Sequence, residues 1–288
     1  MHYHRPATFD EAVALAAGAE GITRILAGGT DVLVQMRSDI VTPDTLIDIK
    51  AIPGTHDITR TPEGGWTLGV AVTGAEMREH ADLGRDWPGV VEAMDLIGST
   101  QVQGRATPVG NLCNASPAAD SVPAMIAAGA VLTVTGPEGS RDIPVAEIPA
   151  GPGKTTLKKG EIATALHLPP RGEHGGDAYL RFIPRTEMDI AVVGCAVNLT
   201  VEGDVITSAR MALGAVAPTA VLVHAAGDAL VGRALDEAAL KALADLAEAS
   251  CNPIDDKRGT IKFRTHTAGV LARRAAQIAY GRAKGVQA

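Results

Sequence analysis

One stretch constrains this chain more than any other: Thr107-Pro108-Val109-Gly110-Asn111, continuing through Asn114 to Ser116-Pro117 and Asp120. It reads as a tight Gly loop that runs into the start of a helix. Ser116 can serve as the N-cap, because its hydroxyl can accept an early helical N–H. Pro117 fits the first helical position, where its missing N–H costs nothing. Val122, Met125 and Ile126 then supply an apolar face. Free N–H groups, small residues and a helix start together make an anion site. Asp120, expected in the first turn, would repel a phosphate and reads instead as an acceptor for ligand hydroxyls. Phosphate and hydroxyls in one place point to a nucleotide cofactor; the competing reading is an ordinary capped helix after a loop.

Composition narrows the partners. The chain of 288 residues carries a formal net charge of −7 and no Lys/Arg cluster, which argues against nucleic acid or an anionic membrane as the main partner. No apolar run approaches the ~20 residues of a membrane span, and the first residues lack the apolar core of a signal peptide, so a cytoplasmic location is expected. The three cysteines, Cys113, Cys195 and Cys251, are far apart and form no C-x-x-C pair. They cannot build a zinc site or an iron–sulfur cluster by themselves and read as buried free thiols.

Along the chain, Thr8 and Glu11 have the spacing of a capping box, so a helix opens at Phe9 and ends near Gly18. Residues 24–27 read as a strand, 28–31 as a second Gly loop, 32–36 as a short helix or turn, and 45–49 as another strand. Such alternation predicts an α/β unit. Residues 66–71 alternate as a strand, and Thr73 with Glu76 opens a helix to about Asp82. A longer helix is expected over 88–97, and β-rich runs over 130–135 and 161–168. Residues 171–177, rich in Gly and charge, read as a linker. Beyond them, 179–182, 190–200 and 205–215 predict long strands with short antiparallel connections, and 236–250 and 265–280 predict Ala-rich helices.

The two Gly loops, 27–30 and 109–111, matter most together. A pyrophosphate joining the halves of a dinucleotide can use two loops of backbone donors, one from each subdomain. Glycine lets backbone come close because it has no Cβ. Thr30, Thr107, Asn111 and Asn114 add hydrogen-bonding groups that stay neutral. Neither loop matches G-x-G-x-x-G or G-x-x-x-x-G-K-[ST].

Several stretches now resemble one family over nearly the whole chain. Tyr3-His4-Arg5-Pro6-Ala7-Thr8 is similar to its opening, and Leu26-Ala27-Gly28-Gly29-Thr30-Asp31 to its first FAD loop. Gly110-Asn111-Leu112-Cys113-Asn114-Ala115-Ser116-Pro117-Ala118-Ala119-Asp120 is similar to its second FAD loop, the most specific of these matches. Met188-Asp189-Ile190-Ala191 and Phe263-Arg264-Thr265-His266 are similar to its C-terminal signatures. The family is that of the flavoprotein (medium) subunits of the molybdenum hydroxylases, of xanthine dehydrogenase and aerobic carbon monoxide dehydrogenase type. One departure stands out: Val109 occupies the first place of a Gly pair. Valine cannot take a positive φ cheaply, so a reshaped loop with one weakened phosphate contact is expected.

The resemblance implies an α+β fold: a two-part α/β FAD-binding domain (1–55 and 56–176), then a C-terminal domain (177–288) of a three-stranded antiparallel sheet with helices. It implies that Arg24, Ile25, Leu26, Ala27, Gly28, Gly29, Thr30, Asp31 and Val32, with Thr107, Val109, Gly110, Asn111 and Asn114, hold the FAD pyrophosphate and its flanks. Asp120 would accept from ribityl or ribose hydroxyls, Ile162 would bring backbone to the ring edge, and Ile97 would pack nearby. Arg181 would lie by the isoalloxazine as a cation favouring reduced flavin; without the family it reads as a solvated strand residue. The function implied is electron transfer through FAD, from two-iron clusters on a small subunit to NAD, a quinone, another carrier or oxygen. The molybdenum cofactor would sit on a large subunit, in a dimer of heterotrimers. The rival readings are a stand-alone FAD-dependent oxidoreductase and, motivated by Val109, a flavin-free assembly subunit.

Overall fold

The computed structural model describes residues 1–186 and 188–286; Glu187 and the last two residues of the 177–288 segment lie outside the described residues. The first unit contains β1 (His2–His4), α1 (Phe9–Gly18), β2 (Thr23–Leu26), α2 (Val32–Arg37) and β3 (Thr45–Asp48). Its sheet has the order β1-β3-β2, both pairs parallel, as βαβ alternation requires. The central β3 is buried along its whole length, whereas β2 is an edge strand with one row of backbone groups unpaired. Thr8 caps α1 by accepting from the Glu11 N–H, while the Glu11 carboxylate accepts from Ala7 N and so completes no full box.

The second unit opens with β4 (Ile58–Arg60) and β5 (Trp66–Gly69). Short helices follow: α3 (Gly74–Glu79), α4 (Ala81–Asp86), α5 (Pro88–Asp95), α6 (Thr100–Gln103), α7 (Pro108–Asn114) and α8 (Ser121–Ala128). Then come the hairpin β6 (Val131–Gly136) and β7 (Gly139–Pro144), the small pair β8 (Pro149–Gly151) and β9 (Lys154–Thr155), and β10 (Ile162–Leu168). The larger sheet is antiparallel throughout, in the order β4-β5-β10-β6-β7. Leu68, Leu132 and Leu166 from its central strands pack with Met77, Met94 and Met125 from the helices, all with no exposure. The Thr73–Glu76 capping box is complete, but α3 stops at Glu79 rather than near Asp82. His80 ends it and, through Nδ1 accepting from Leu83 N, starts α4.

The third unit contains β11 (Gly175–Phe182), β12 (Val193–Glu202), β13 (Val205–Gly214), β14 (Val221–Leu222), α9 (Ala225–Leu230), α10 (Glu237–Ala249) and α11 (Ile261–Ala283). Its antiparallel sheet has four strands, not three, in chain order. The fourth is the two-residue β14, too short to carry an alternating pattern. Residues 190–192 are not strand; pairing begins at Val193 opposite Phe182. The buried face of α11 is largely alanine (Ala268, Ala272, Ala275, Ala276, Ala279), which lets the helix lie close to β11 and β12.

The stretch read as a linker is a joint. Arg171 and Asp177 form a buried ion pair at 2.8 Å, and the Arg171 guanidinium lies 3.8 Å from the centre of the Trp87 ring. The sheet of the third unit also closes the end of α8: Asn198 Nδ2 donates to Ala127 O and an Arg210 guanidinium N–H to Ile126 O.

Candidate functional site

The two Gly loops meet. A Cβ on Gly28 would lie 1.9 Å from the Arg105 carbonyl oxygen, so only glycine lets the first loop touch the chain that leads into the second. The contact is reinforced by Gln35 of α2, whose Nε2 donates to Asn114 Oδ1 of α7 at 2.9 Å.

The first loop leaves β2 and turns at Gly29, whose φ of +81° is a glycine conformation. It then enters α2 with no side-chain cap. Among the described residues, none accepts a hydrogen bond from the backbone N–H groups of Ala27, Gly28, Gly29, Thr30, Asp31 or Val32. A run of free donors from edge strand to helix start is a cradle for an anion. Asp31 precedes α2 with its side chain exposed, so its backbone rather than its carboxylate suits an anionic ligand. Arg24 is exposed on β2 and donates to its neighbour's carbonyl, Thr23 O; Ile25 and Leu26 complete the strand.

The second loop differs from its sequence reading. Residues 108–114 are α7, capped by Thr107 Oγ1, which accepts from Gly110 N at 2.9 Å, with Pro108 at the first helical position. Val109 is therefore helical, needs no positive φ, and is buried in the core. The expected reshaping is absent because the position asks for helix, which valine can adopt. The left-handed residue is Ala115, at φ 51°, which ends α7. Ser116 and Pro117 form a turn, with Ser116 Oγ accepting from Ala118 N, and α8 begins only at Ser121. Asn111 Oδ1 accepts from both Ser121 Oγ and Ser121 N, fixing α7 against α8.

Asp120, the residue before α8, is not an open acceptor. Its Oδ1 accepts from the Tyr179 hydroxyl and its Oδ2 from an Arg181 guanidinium N–H, each at 2.8 Å. Burial pushes the Asp120 carboxyl above its ordinary range, while Arg181 and the Tyr179 hydrogen bond pull it back down. Arg181 is not solvated: its side chain is 5% exposed, and its Nε is buried without a partner among the described residues. Its charge is paired with that of Asp120 at 2.8 Å. Tyr179 was missed by sequence reasoning; an aromatic on a buried strand carries no signal of a polar partner far along the chain.

Ile97 lies half-buried just after α5, before Gly98. Ile162 begins β10 opposite Thr135 with its side chain in the core, so its backbone is what it can present. Burial pushes the Cys113 thiol up to about 12 and Cys251 up to about 11, which makes them poor nucleophiles.

The donor set fits a dinucleotide. Backbone N–H groups suit a pyrophosphate, and neutral Thr and Asn side chains suit its flanks.

Comparison with known proteins agrees. Residues 1–171 match the family model described as the FAD binding domain in molybdopterin dehydrogenase, and residues 178–279 the CO dehydrogenase flavoprotein C-terminal domain. The chain is 36% identical to the carbon monoxide dehydrogenase medium chain of Afipia carboxidovorans, over 98% of this chain and 97% of that one. It is 31% identical to a putative xanthine dehydrogenase FAD-binding subunit of Escherichia coli, over 92% of this chain and 90% of that one. Carbon monoxide dehydrogenase from Hydrogenophaga pseudoflava superposes with a TM-score of 0.94 at 32% identity, covering 98% of each chain.

Proposed function

The chain belongs to the flavoprotein (medium) subunits of the molybdenum hydroxylases, and from that premise we propose that it holds one noncovalent FAD and passes electrons through it. The observation that carries this reading is the run of unpartnered backbone donors at 27–32, held against the approach to a second helix start by the Gly28–Arg105 contact. When bound, FAD supplies a centre that takes electrons from a cluster and hands them to an acceptor.

The residues divide the task. The free N–H groups of the first loop and of Val109 would hold the pyrophosphate, with Thr30, Asn111 and Asn114 along its flanks. Gly110 keeps the start of α7 open: its N–H is bound by Thr107, and a Cβ there would lie 2.7 Å from Thr107 Oγ1. Asp120 keeps lone pairs beyond those given to Tyr179 and Arg181 and would accept from hydroxyls of the sugar chain. Arg181 would lie by the flavin with its charge balanced by Asp120. Ile162 would offer backbone, and Ile97 apolar contact. The units are taken as 1–55, 56–176 and 177–288, each with a sheet of its own in support.

The partners follow from the family: a small iron–sulfur subunit and a large molybdenum-cofactor subunit, in a cytoplasmic dimer of heterotrimers. Among the described residues no helix is long and apolar enough to cross a membrane. The flavin-free rival loses its motive, since Val109 is an ordinary buried helical residue. Denaturing the gently purified chain from a flavin-replete host should release FAD in about one equivalent. Release of FMN, which lacks the pyrophosphate, or of no flavin would overturn the reading.

A further inference from the structure

Tyr179 belongs to the third unit by sequence but to the first core by packing: it is 3% exposed, among residues from the FAD-binding half. It stands on β11 two residues before Arg181, so both side chains leave the same face of the sheet. Each takes one oxygen of Asp120, at 2.8 Å. The phenol sits in a notch in the neighbouring strand: a Cβ on Gly194 would lie 2.4 Å from its oxygen. With one buried donor fixed on each oxygen, the carboxylate cannot turn.

We propose that Tyr179 is a positioning residue for the cofactor: its hydroxyl fixes the Asp120 carboxylate in the orientation from which Asp120 serves both the FAD hydroxyls and Arg181. The inference rests on the FAD reading above. Burial and the Asp120 charge push the Tyr179 hydroxyl well above its ordinary range, so it stays a donor at every pH of interest. The charged or titratable groups facing Asp120 among the described residues are Arg181 and Tyr179 of β11; Cys195 of β12, paired with Leu180, points to the opposite face of the sheet. The helix α8 carries no ionisable residue, and α7 carries only the Cys113 thiol. Removing the phenol oxygen alone therefore leaves a buried carboxylate with one donor fewer and an easier route to protonation. A protonated Asp120 loses acceptor capacity and its pairing with Arg181.

The test measures FAD dissociation constants for the full chain by flavin-fluorescence quenching between pH 5.5 and 8. The variants are Tyr179→Phe, Asp120→Asn and the double substitution. Tyr179→Phe should weaken FAD binding roughly tenfold at neutral pH, the low end for a hydrogen bond to a charged group. The loss should grow as pH falls, over a range in which unsubstituted protein is flat. In the Asp120→Asn background the same change should cost little and show no pH dependence. An unchanged dissociation constant in Tyr179→Phe overturns the proposal. So does an equal loss at every pH in both backgrounds, which would mean a packing role only. If the unsubstituted chain takes up no FAD at all, the cofactor reading itself fails and this proposal falls with it.

Discussion

The Asp120 carboxylate, which the proposed site sets near a pyrophosphate, has its charge matched by Arg181. This orders the outcome of two substitutions. Asp120→Asn keeps an acceptor oxygen for the ligand, for Tyr179 or for Arg181. Asp120→Leu keeps none and strands a guanidinium whose side chain is 5% exposed, a loss of about 3–5 kcal/mol for a buried pair broken on one side. Flavin affinity and thermal midpoint should both fall further in Asp120→Leu; equal values in the two variants would refute the assignment. The glycines separate as sharply. Gly28→Ala drives a methyl against the Arg105 carbonyl and should weaken FAD binding at least ~10-fold, about 1.4 kcal/mol. Gly18→Ala, with nothing within 4 Å of its Cβ, should leave binding unchanged. Gly110→Val crowds the Thr107 cap and should empty the site, whereas Val109→Ala trims a buried helical side chain and should cost stability before it costs flavin; equal flavin occupancy in Gly110→Val and unsubstituted protein would remove the second loop from the site. Val109 also shows where residue-level reading failed: its chemistry was judged against a loop, and the chain there is a helix.

Why that helix was misplaced is a question about elements. Within residues 107–120 the Ser/Thr-Pro signature of a helix start stands at Thr107-Pro108 and again at Ser116-Pro117. The chain uses the first for a helix and the second for a turn. Pro123 decides it: a helix begun at Pro117 would bring Pro123 into its interior, without an N–H to donate and with its ring against a carbonyl. Beginning at Ser121 puts Pro123 in the first turn, where neither matters. The residues needed for this conclusion were all in the sequence; the signature was read without its downstream veto. Elements with strong periodicity or complete caps were legible, among them α1, β3, β10 and α10. Those missed are short or polar, such as β14 and the exposed β7, whose stability comes from neighbours. On β7, Arg141 holds Glu161 by paired hydrogen bonds, each at 2.9 Å. The Arg141 hydrogen bonds hold the Glu161 carboxyl below its ordinary value of 4.5. A carboxyl depressed by folding stabilises the native state above its unfolded pKa, and that stabilisation is lost as pH falls through the folded value. The thermal midpoint of Arg141→Gln should therefore lie below that of unsubstituted protein at pH 7, and the gap should close as pH drops below about 4.5. A gap of constant size down to pH 3 would show that the pair contributes nothing through Glu161.

The second and third units hold together through polar contacts rather than through a long linker: the buried Arg171 with Asp177, the partly exposed Arg282 with Glu92, and the buried Asp120 with Tyr179 and Arg181. The last two of these join residues far apart along the chain, which is why neither was legible beforehand, whereas Arg171 and Asp177 lie six residues apart in a stretch whose composition reads as a linker. The Asp120 contacts tie the residue before α8 to the C-terminal sheet. Among the described residues no group of three or more His, Cys, Asp or Glu is placed to hold a metal ion, and the cysteines are separated along the chain with their thiols pushed upward by burial. In the proposed function electrons arrive from a centre on another chain, docked where the flavin is within reach. A stable contact of that kind buries at least ~1,000 Å² in total. The isolated chain should keep its FAD and accept electrons from an artificial donor or a pyridine nucleotide, yet should not oxidise purines, aldehydes or carbon monoxide. Adding the small and large subunits should restore bleaching of the FAD absorbance on addition of the complex's substrate. Stopped-flow absorbance on the chain alone and on the reconstituted complex distinguishes these cases. Turnover of such a substrate by the single chain, free of partners and metals, at about 1 s⁻¹ or faster would be enzyme-like; it would replace the electron-transfer reading with that of a stand-alone oxidoreductase.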